Sequence, residues 1–361
     1  MKRVALMELA LLLAVVGCER KSADPIIVNA EPAIKWTQWP WPGSVESTPH
    51  QGITRWFVET DDKCTLELLR FDFTQNPDLR FEIYDQDEDD ARPFDNVADY
   101  YPRGVGQVVK HLNDCGRGPV VAAWNGLFFA YDRSKNPPNG FAHHIGPVVL
   151  GGKAYHNVGR HRWMFGVKLE NGKPIFKTIH QPPKSILERE FDFAADGAQC
   201  LVYEGKPLII ESRRNLTLKA PVPSSPAEVG HIPIVDHMRT SRTSMGWSKD
   251  SQIFYLLVVN EPDTENASKF ALKHGEPLGP GWTLADLQAF WLSLDVWGAV
   301  NSDGGAVTQM VFRRVDGKYE MLPPRLAAPN GRLVFDGSFK DAPQGGSLMT
   351  FFVADRSPRL N

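Results

Sequence analysis

Several common signatures are missing from this chain, and each absence removes a class of function. It has only four cysteines, none spaced as CxxC, which excludes a zinc site built on thiolates. No Walker phosphate loop, GxGxxG, GxSxG or HExxH occurs. That removes the nucleotide-phosphate, dinucleotide, serine-elbow and zincin readings. No excess of one charge is present. The 40 Lys+Arg against 43 Asp+Glu leave a net charge of −3, whereas a nucleic-acid partner calls for a basic surface. No apolar run reaches the ~20 residues a membrane-crossing helix needs. What remains is 42% hydrophobic and 23% charged, the balance of a folded globular chain. Its 361 residues allow one large domain or two smaller ones. The 30 Gly and 28 Pro predict many turns and long loops. The ten Trp and 20 Phe are enough to fill a core and leave some to line a pocket.

The N-terminus reads Met1-Lys2-Arg3, then a short apolar run, then Val15-Val16-Gly17-Cys18. Basic residues, an apolar stretch and a small residue before cysteine predict a bacterial lipoprotein signal over residues 1–18. An ordinary secretory signal or a buried helix is the alternative, and Glu8 interrupts the apolar stretch. Lipidation of Cys18 makes the membrane a partner through the anchor and places the protein in the cell envelope, on the periplasmic or outer-membrane side. Residues 19–52, rich in Pro and Trp, read as a tether lying irregularly over a domain at 53–361. In an oxidising compartment Cys64, Cys115 and Cys200 allow one disulfide and one spare thiol, and spacing does not choose the pair.

Along the chain α and β patterns mix. Leu66–Phe73 alternates as a strand and Leu79–Tyr84 reads as a second. Asp85–Asp90 holds acids at alternate positions but lacks the Gly and final Glu of a calcium loop, so a solvated acidic loop is expected. Val105, Val108, Val109 and Leu112 line one face of a helix ending near Asn113, stopped by Gly116. The apolar strand Pro119–Trp124 then runs into Asn125-Gly126. A similar unit recurs later. Thr283 caps a helix with Asp286 three residues on, and Leu284, Leu287, Phe290, Trp291 and Leu294 form its buried face. A short strand, Ala299–Val300, leads into Asn301-Ser302-Asp303-Gly304-Gly305. Polar residues at a strand end followed by glycine build a site on a rigid base and let backbone approach a ligand. Between these units lie two hairpin patterns, Arg162-x-x-x-Gly166 before Asn171-Gly172 and Arg242-x-x-x-Gly246 before the apolar strand Ile253–Val259. Asn215 and Asn266 head glycosylation sequons, read as chance in a bacterial chain.

Four stretches resemble motifs of the phosphodiester glycosidase family, in the family's order. Trp124-Asn125-Gly126-Leu127-Phe128-Phe129 is similar to its NGGFF motif, and Arg242-Thr243-Ser244-Met245-Gly246 to RTAIG. Trp282–Leu287 resembles LTLAEL, and Asn301–Met310 resembles NLDGGGSSTM. The resemblance spans about Leu66–Val353 and implies one domain of α+β or mixed α/β type, with mixed sheets and flanking helices. It implies a hydrolase that cleaves a sugar from a sugar-1-phosphodiester, with a glycan or sugar phosphate as partner. Three departures stand out: Leu127 replaces a glycine, and Ala306 and Val307 replace a glycine and a serine. They motivate a second reading, an inactive glycan-binding lipoprotein on the same fold.

Cleaving such a bond develops positive charge on the sugar and releases a phosphate. A carboxylate suits the first, and Arg with backbone N–H groups the second. Asp303 is the expected catalytic carboxylate. Arg242 is expected to bind phosphate, and Gly304 and Gly305 to supply N–H donors and room. Asn125 and Asn301 would fix sugar hydroxyls or orient Asp303, and Gly126, Thr243 and Thr308 complete the expected substrate-binding set. The competing readings are a turn residue for Asp303, an ion-pair partner for Arg242 and a backbone-satisfying residue for Asn125. Glu261 or Asp263 is the candidate second carboxylate. One of His143 and His144, which point to opposite faces of a strand, could reach the phosphate. No ligand spacing supports a metal, and no cofactor is expected.

Overall fold

Ile253–Asn260 shows how this sequence builds its layers. Phe254, Leu256 and Val258 face one way into the largest apolar cluster, and Leu257 and Val259 face the other way into a second. Successive strand side chains alternate, so a strand apolar on both sides must be covered on both sides. The computed structural model describes residues 26–27, 35–95, 98–100, 103–132, 140–155, 163–208, 211–212, 239–262, 280–324, 331–343 and 348–357. Cys18 and its signal, Arg162, Asn215, Asp263 and Asn266 lie outside these residues.

In chain order, β1 (Val45–His50), β2 (Ile53–Glu59), β3 (Thr65–Asp72) and β4 (Leu79–Asp85) come first. Then follow β5 (Ala98–Tyr100), helix α1 (Val105–Asp114), β6 (Val120–Asn125), β7 (Phe129–Asp132) and β8 (Gly140–His144). The middle holds β9 (Val148–Leu150), β10 (Lys153–Tyr155), β11 (Trp163–Glu170), β12 (Lys173–His180), α2 (Lys184–Glu190) and β13 (Phe193–Tyr203). The last part holds β14 (Arg242–Trp247), β15 (Ile253–Asn260), α3 (Leu284–Ser293) and β16 (Gly298–Asn301). It closes with β17 (Met310–Arg313), β18 (Tyr319–Leu322), β19 (Leu333–Phe335) and β20 (Met349–Asp355).

A twelve-stranded sheet carries the order β10-β9-β13-β16-β14-β15-β3-β2-β1, with the β11–β12 hairpin and the two-residue strand Lys206–Pro207 branching from β13. A six-stranded sheet has the order β19-β18-β17-β6-β20-β4, and a separate three-stranded sheet is β5-β8-β7. The two large sheets stack over a shared core that includes Phe71, Trp124, Phe165, Phe254 and Phe351. Helix α3 covers the outer face of the first through Leu284, Leu287, Phe290 and Trp291 against Leu66, Leu68, Leu257 and Ala299. Helix α1 covers the outer face of the second through Val105, Val108, Val109 and Leu112, the face the sequence predicts.

The expected mixed sheets are corrected: every strand ladder among the described residues is antiparallel. The physical reason lies in the two helix units. Strands β4 and β6 flank α1, but β20 lies between them, antiparallel to both. Strands β15 and β16 flank α3, with β14 between them in the same way. Each helix joins two co-directional strands, and an inserted strand from elsewhere in the chain converts what would be a parallel pair into two antiparallel ones.

Three further expectations change. The tether loses residues 35–52 to the fold, because Trp36 and Trp41 are buried against α3 and β1 already pairs with β2. Cys64, Cys115 and Cys200 all carry thiols, with no disulfide among them. The acidic stretch is not a solvated loop: Gln86–Asp89 forms a short 3-10 turn capped by Asp85, and Asp85 and Asp87 are fully buried. The two Arg-x-x-x-Gly hairpins do not lie side by side, since β11 pairs with β12 and β13 while β14 pairs with β15 and β16. The turn Asn171-Gly172 does take the left-handed conformation its sequence predicts, at φ 51° and 78°.

Candidate active site

Strands β6 and β16 belong to different sheets, and their ends meet. The Asp303 N–H donates to the Gly126 carbonyl at 3.2 Å, and Ser302 Oγ donates to the same oxygen at 2.6 Å. Asn125 ties the junction from the other side. Its Nδ2 donates to the Asp303 carbonyl at 2.8 Å. Its Oδ1 accepts from Thr243 Oγ1 at 2.7 Å, on the large sheet, and from the Gln309 N–H at 3.1 Å, beside the six-stranded one. One fully buried amide side chain therefore satisfies groups from both sheets. The Ser302 N–H donates to the Thr243 carbonyl at 2.8 Å. Residues distant in sequence, Asn125, Gly126, Thr243 and Asp303, are thus in one hydrogen-bonded frame.

Arg242 is buried beside this frame, 1% exposed, and its Nε donates to the Trp282 carbonyl at 2.9 Å. It lies close enough for its charge to act on Asp303. Asn301 donates through Nδ2 to Gln199 Oε1 at 2.5 Å, its partner across the β13–β16 ladder. Thr308 closes the 3-10 turn Gly305–Val307. Asn301 Oδ1 and Thr308 Oγ1 are buried with no hydrogen-bond partner among the described residues.

Exposure separates the expected residues into two groups. Asn125, Thr243, Asn301 and Thr308 are fully buried. Asp303, Gly304 and Gly305 are half-buried and Ala306 is exposed. The turn after β16 is the part that meets solvent. Its glycine amides are already used, contrary to their expected role as free donors. The Gly304 N–H donates to Asp303 Oδ1 and the Gly305 N–H to the Ser241 carbonyl, both at 2.8 Å. Space is what these glycines supply. A Cβ on Gly304 would sit 2.7 Å from the Ser241 carbonyl oxygen, and Gly305 has φ +64°. A Cβ on Gly126 would fall 2.6 Å from the Met349 carbonyl oxygen.

The departures from the family pattern leave this frame intact. Leu127 turns inward and is fully buried in the inter-sheet core. The Ala306 methyl faces solvent, and Val307 is half-buried. Asp303 remains at the centre, partly open to solvent yet closely surrounded. Desolvation pushes its carboxyl up to about 7, against the lowering effects of the Gly304 N–H and Arg242. A carboxyl poised near neutrality can take or give a proton at physiological pH.

Glu261 is buried behind Ser241. Its Oε2 accepts from the Ser241 N–H at 3.2 Å, Ser241 Oγ at 3.3 Å and Thr240 Oγ1 at 3.4 Å. It thereby supports the segment whose Ser241 carbonyl holds Gly305. His144 is buried and His143 half-buried, and His144 Nε2 lies 2.8 Å from Asp85 Oδ2. Sequence reasoning missed Ser241, Ser302, Gln199 and Gln309. Ser302 and Gln309 lie inside the matched motif and were legible there. Gln199 carries no local signal, because only the β13–β16 register brings it to Asn301. Among the described residues no group of three His, Cys, Asp or Glu is arranged to hold a metal ion.

The chain matches the family model described as phosphodiester glycosidase over residues 118–337, which takes in all four motifs. No curated protein matches it. Among solved structures it is similar to the zebrafish N-acetylglucosamine-1-phosphodiester alpha-N-acetylglucosaminidase catalytic domain auto-inhibited by its pro-peptide. Identity is 15% and the TM-score 0.51, covering 90% of this chain and 95% of that one. It is also similar to a hypothetical protein from Synechocystis, at 12% identity and a TM-score of 0.45, covering 87% of this chain and 64% of that one. At 15% identity the likeness to the zebrafish domain is one of fold, and the family model carries the assignment: the chain belongs to the phosphodiester glycosidase family of hydrolases.

Proposed function

We propose that this protein hydrolyses the bond between a sugar's anomeric carbon and a phosphodiester in a surface polysaccharide or glycolipid, with Asp303 as general base. One observation carries the reading: a single partly open carboxyl, of proton affinity near neutral, is held on a buried polar frame beside an arginine. The Asp303 carboxylate takes a proton from water as the water oxygen bonds to the anomeric carbon. The carbon–oxygen bond to phosphate breaks, and its electron pair leaves with a phosphomonoester. Phosphate is a stable leaving group, so no second carboxyl is required to protonate it. This fits the position of Glu261, whose Oε2 is occupied by Ser241 and Thr240. Arg242 supplies positive charge near the departing phosphate and the Asp303 anion. Buried Asn125, Thr243 and Asn301 orient the turn and leave substrate contact to residues 303–307. Lipidation of Cys18 would hold the domain at the cell envelope, where such substrates lie.

The test is an assay of the protein lacking its first 18 residues with a sugar-1-phosphodiester, beside Asp303→Asn. The expected result is release of free sugar by the parent chain and its loss in the folded variant. Sugar release undiminished in D303N overturns the role of Asp303. No hydrolysis across a broad substrate panel, together with measurable glycan binding, replaces the enzyme by a glycan-binding protein.

A further inference from the structure

The buried pair Asp85 and His144 takes no part in the mechanism above. His144 Nε2 lies 2.8 Å from Asp85 Oδ2, a close polar contact without hydrogen-bond alignment, with side-chain exposures of 2% and 0%. Burying a carboxylate is costly even with a partner, and an apolar pair of similar volume is often as stable or more so. Such a pair is worth keeping where it fixes an arrangement that apolar packing leaves loose, and its location fits that purpose.

Asp85 ends β4, at the edge of the six-stranded sheet, opposite Met349 of β20. His144 ends β8, in the separate three-stranded sheet, opposite Phe129 of β7. Among the described residues no strand ladder joins these two sheets. Among the described residues, the apolar contact there is one cluster of Ala142 and Leu348, with Phe129 packed against it. The chain crosses between the sheets through Gly126, Leu127 and Phe128, the turn on which Asp303 rests. The pair brackets that turn. On one side the Gly126 N–H donates to the Met349 carbonyl at 2.9 Å, beside Asp85 in the ladder. On the other side Phe129 starts β7 and faces His144 of β8 across the ladder. The Gly126 carbonyl in turn accepts from Asp303 and Ser302.

We propose that Asp85 and His144 are positioning residues that dock the three-stranded sheet on the six-stranded one and so set the Gly126 turn that carries Asp303. This rests on the reading of Asp303 as the catalytic group. The docking itself is independent of that reading, and the experiment separates the two.

Asp85→Asn, His144→Gln and the apolar double variant D85L/H144L are compared with the parent chain by sugar-1-phosphodiester kinetics and by amide hydrogen exchange. In H144Q and D85L/H144L, kcat is expected to fall by about 10- to 100-fold with KM within about threefold, the size a sub-ångström to ångström misplacement gives. Exchange at the amides of Gly126–Phe129 is expected to accelerate while the β14 and β15 amides stay protected. D85N, which keeps an oxygen acceptor, is expected to retain more activity than the double variant. Unchanged exchange in that turn in H144Q and the double variant overturns the proposal, whatever the kinetics. So does exchange accelerated equally throughout the fold, which would mean general destabilisation. If turn exchange accelerates while D303N remains active, the docking role stands and the catalytic reading of Asp303 fails.

Discussion

Asp303 couples activity to stability through one proton. Its carboxyl is held near 7 in the folded chain against an ordinary 3.8, so the folded state binds a proton that the unfolded state releases. Between about pH 4 and 7 the folded chain holds more protons, and stability therefore falls as pH rises through that window. Asp303→Asn removes the penalty. The variant should be more stable than the parent at pH 8 by roughly 1–3 kcal/mol, allowing for partial solvent contact, and the difference should vanish near pH 4. Thermal melts at the two values check this. As a base, Asp303 also predicts that kcat/KM rises with pH to a plateau above an apparent pKa near 7. A profile falling over the same range would assign it the role of acid instead. Asp303 was legible in the sequence as the polar residue of a strand-end glycine motif. Its proton affinity was not, because it depends on burial in the fold and on Arg242, which is 61 residues away in sequence. The glycine amides were misjudged for a related reason: local pattern shows where N–H groups are, and only the fold shows that Ser241 and the Asp303 side chain already take them.

At the level of elements, the helix and strand patterns around both motifs were readable. Val105–Asp114 and Leu284–Ser293 form as their apolar spacing and capping residues predict, and Thr283 and Asp286 make the expected reciprocal cap. Direction within the sheets was not readable, since β20 and β14 are inserted from other parts of the chain. The Gly126 turn illustrates how an apparent defect can be structural. Leu127 stands where the family has glycine, and restoring glycine would empty a buried site. Leu127→Gly should destabilise the fold by about 3–5 kcal/mol, measured by denaturant unfolding, without raising activity. Gly126→Ala should behave differently. Its new methyl meets the Met349 backbone, so the turn must shift, and kcat should drop by about 100-fold with the fold retained. Activity near the parent level in G126A would mean that the turn does not control Asp303.

Across the whole molecule, the two large sheets are also joined by charge. Glu67 of β3 is fully buried and contacts Arg55 at 2.6 Å and Arg332, which in turn lies 2.9 Å from Glu320 of β18. Arg332 stacks 4.3 Å over Phe57 and Arg55 lies 4.9 Å from Phe312, so the cations also cover apolar surface. Glu67→Gln leaves both guanidinium groups less compensated and should cost about 3–5 kcal/mol. A loss below 1 kcal/mol in chemical unfolding would show that water replaces the carboxylate. None of this network was visible in the sequence, because its members are spread from Arg55 to Arg332 and no local spacing marks them. The anchor proposed at Cys18 is tested at the same scale: Cys18→Ala should move the protein from the membrane fraction to the soluble one.

The placement of β20 has a consequence for how the chain is made. This strand, Met349–Asp355, runs between β4 and β6, which come from residues 79–85 and 120–125. Until the ribosome has released it, β4 has no partner in the six-stranded sheet and stands apart from the four strands that pair through β6. Synthesis from the N-terminus therefore yields a long-lived incomplete chain, since the decisive pairings span more than two hundred residues. A stop before Met349 would yield a chain that holds all four motifs and lacks the strand that joins β4 to the sheet.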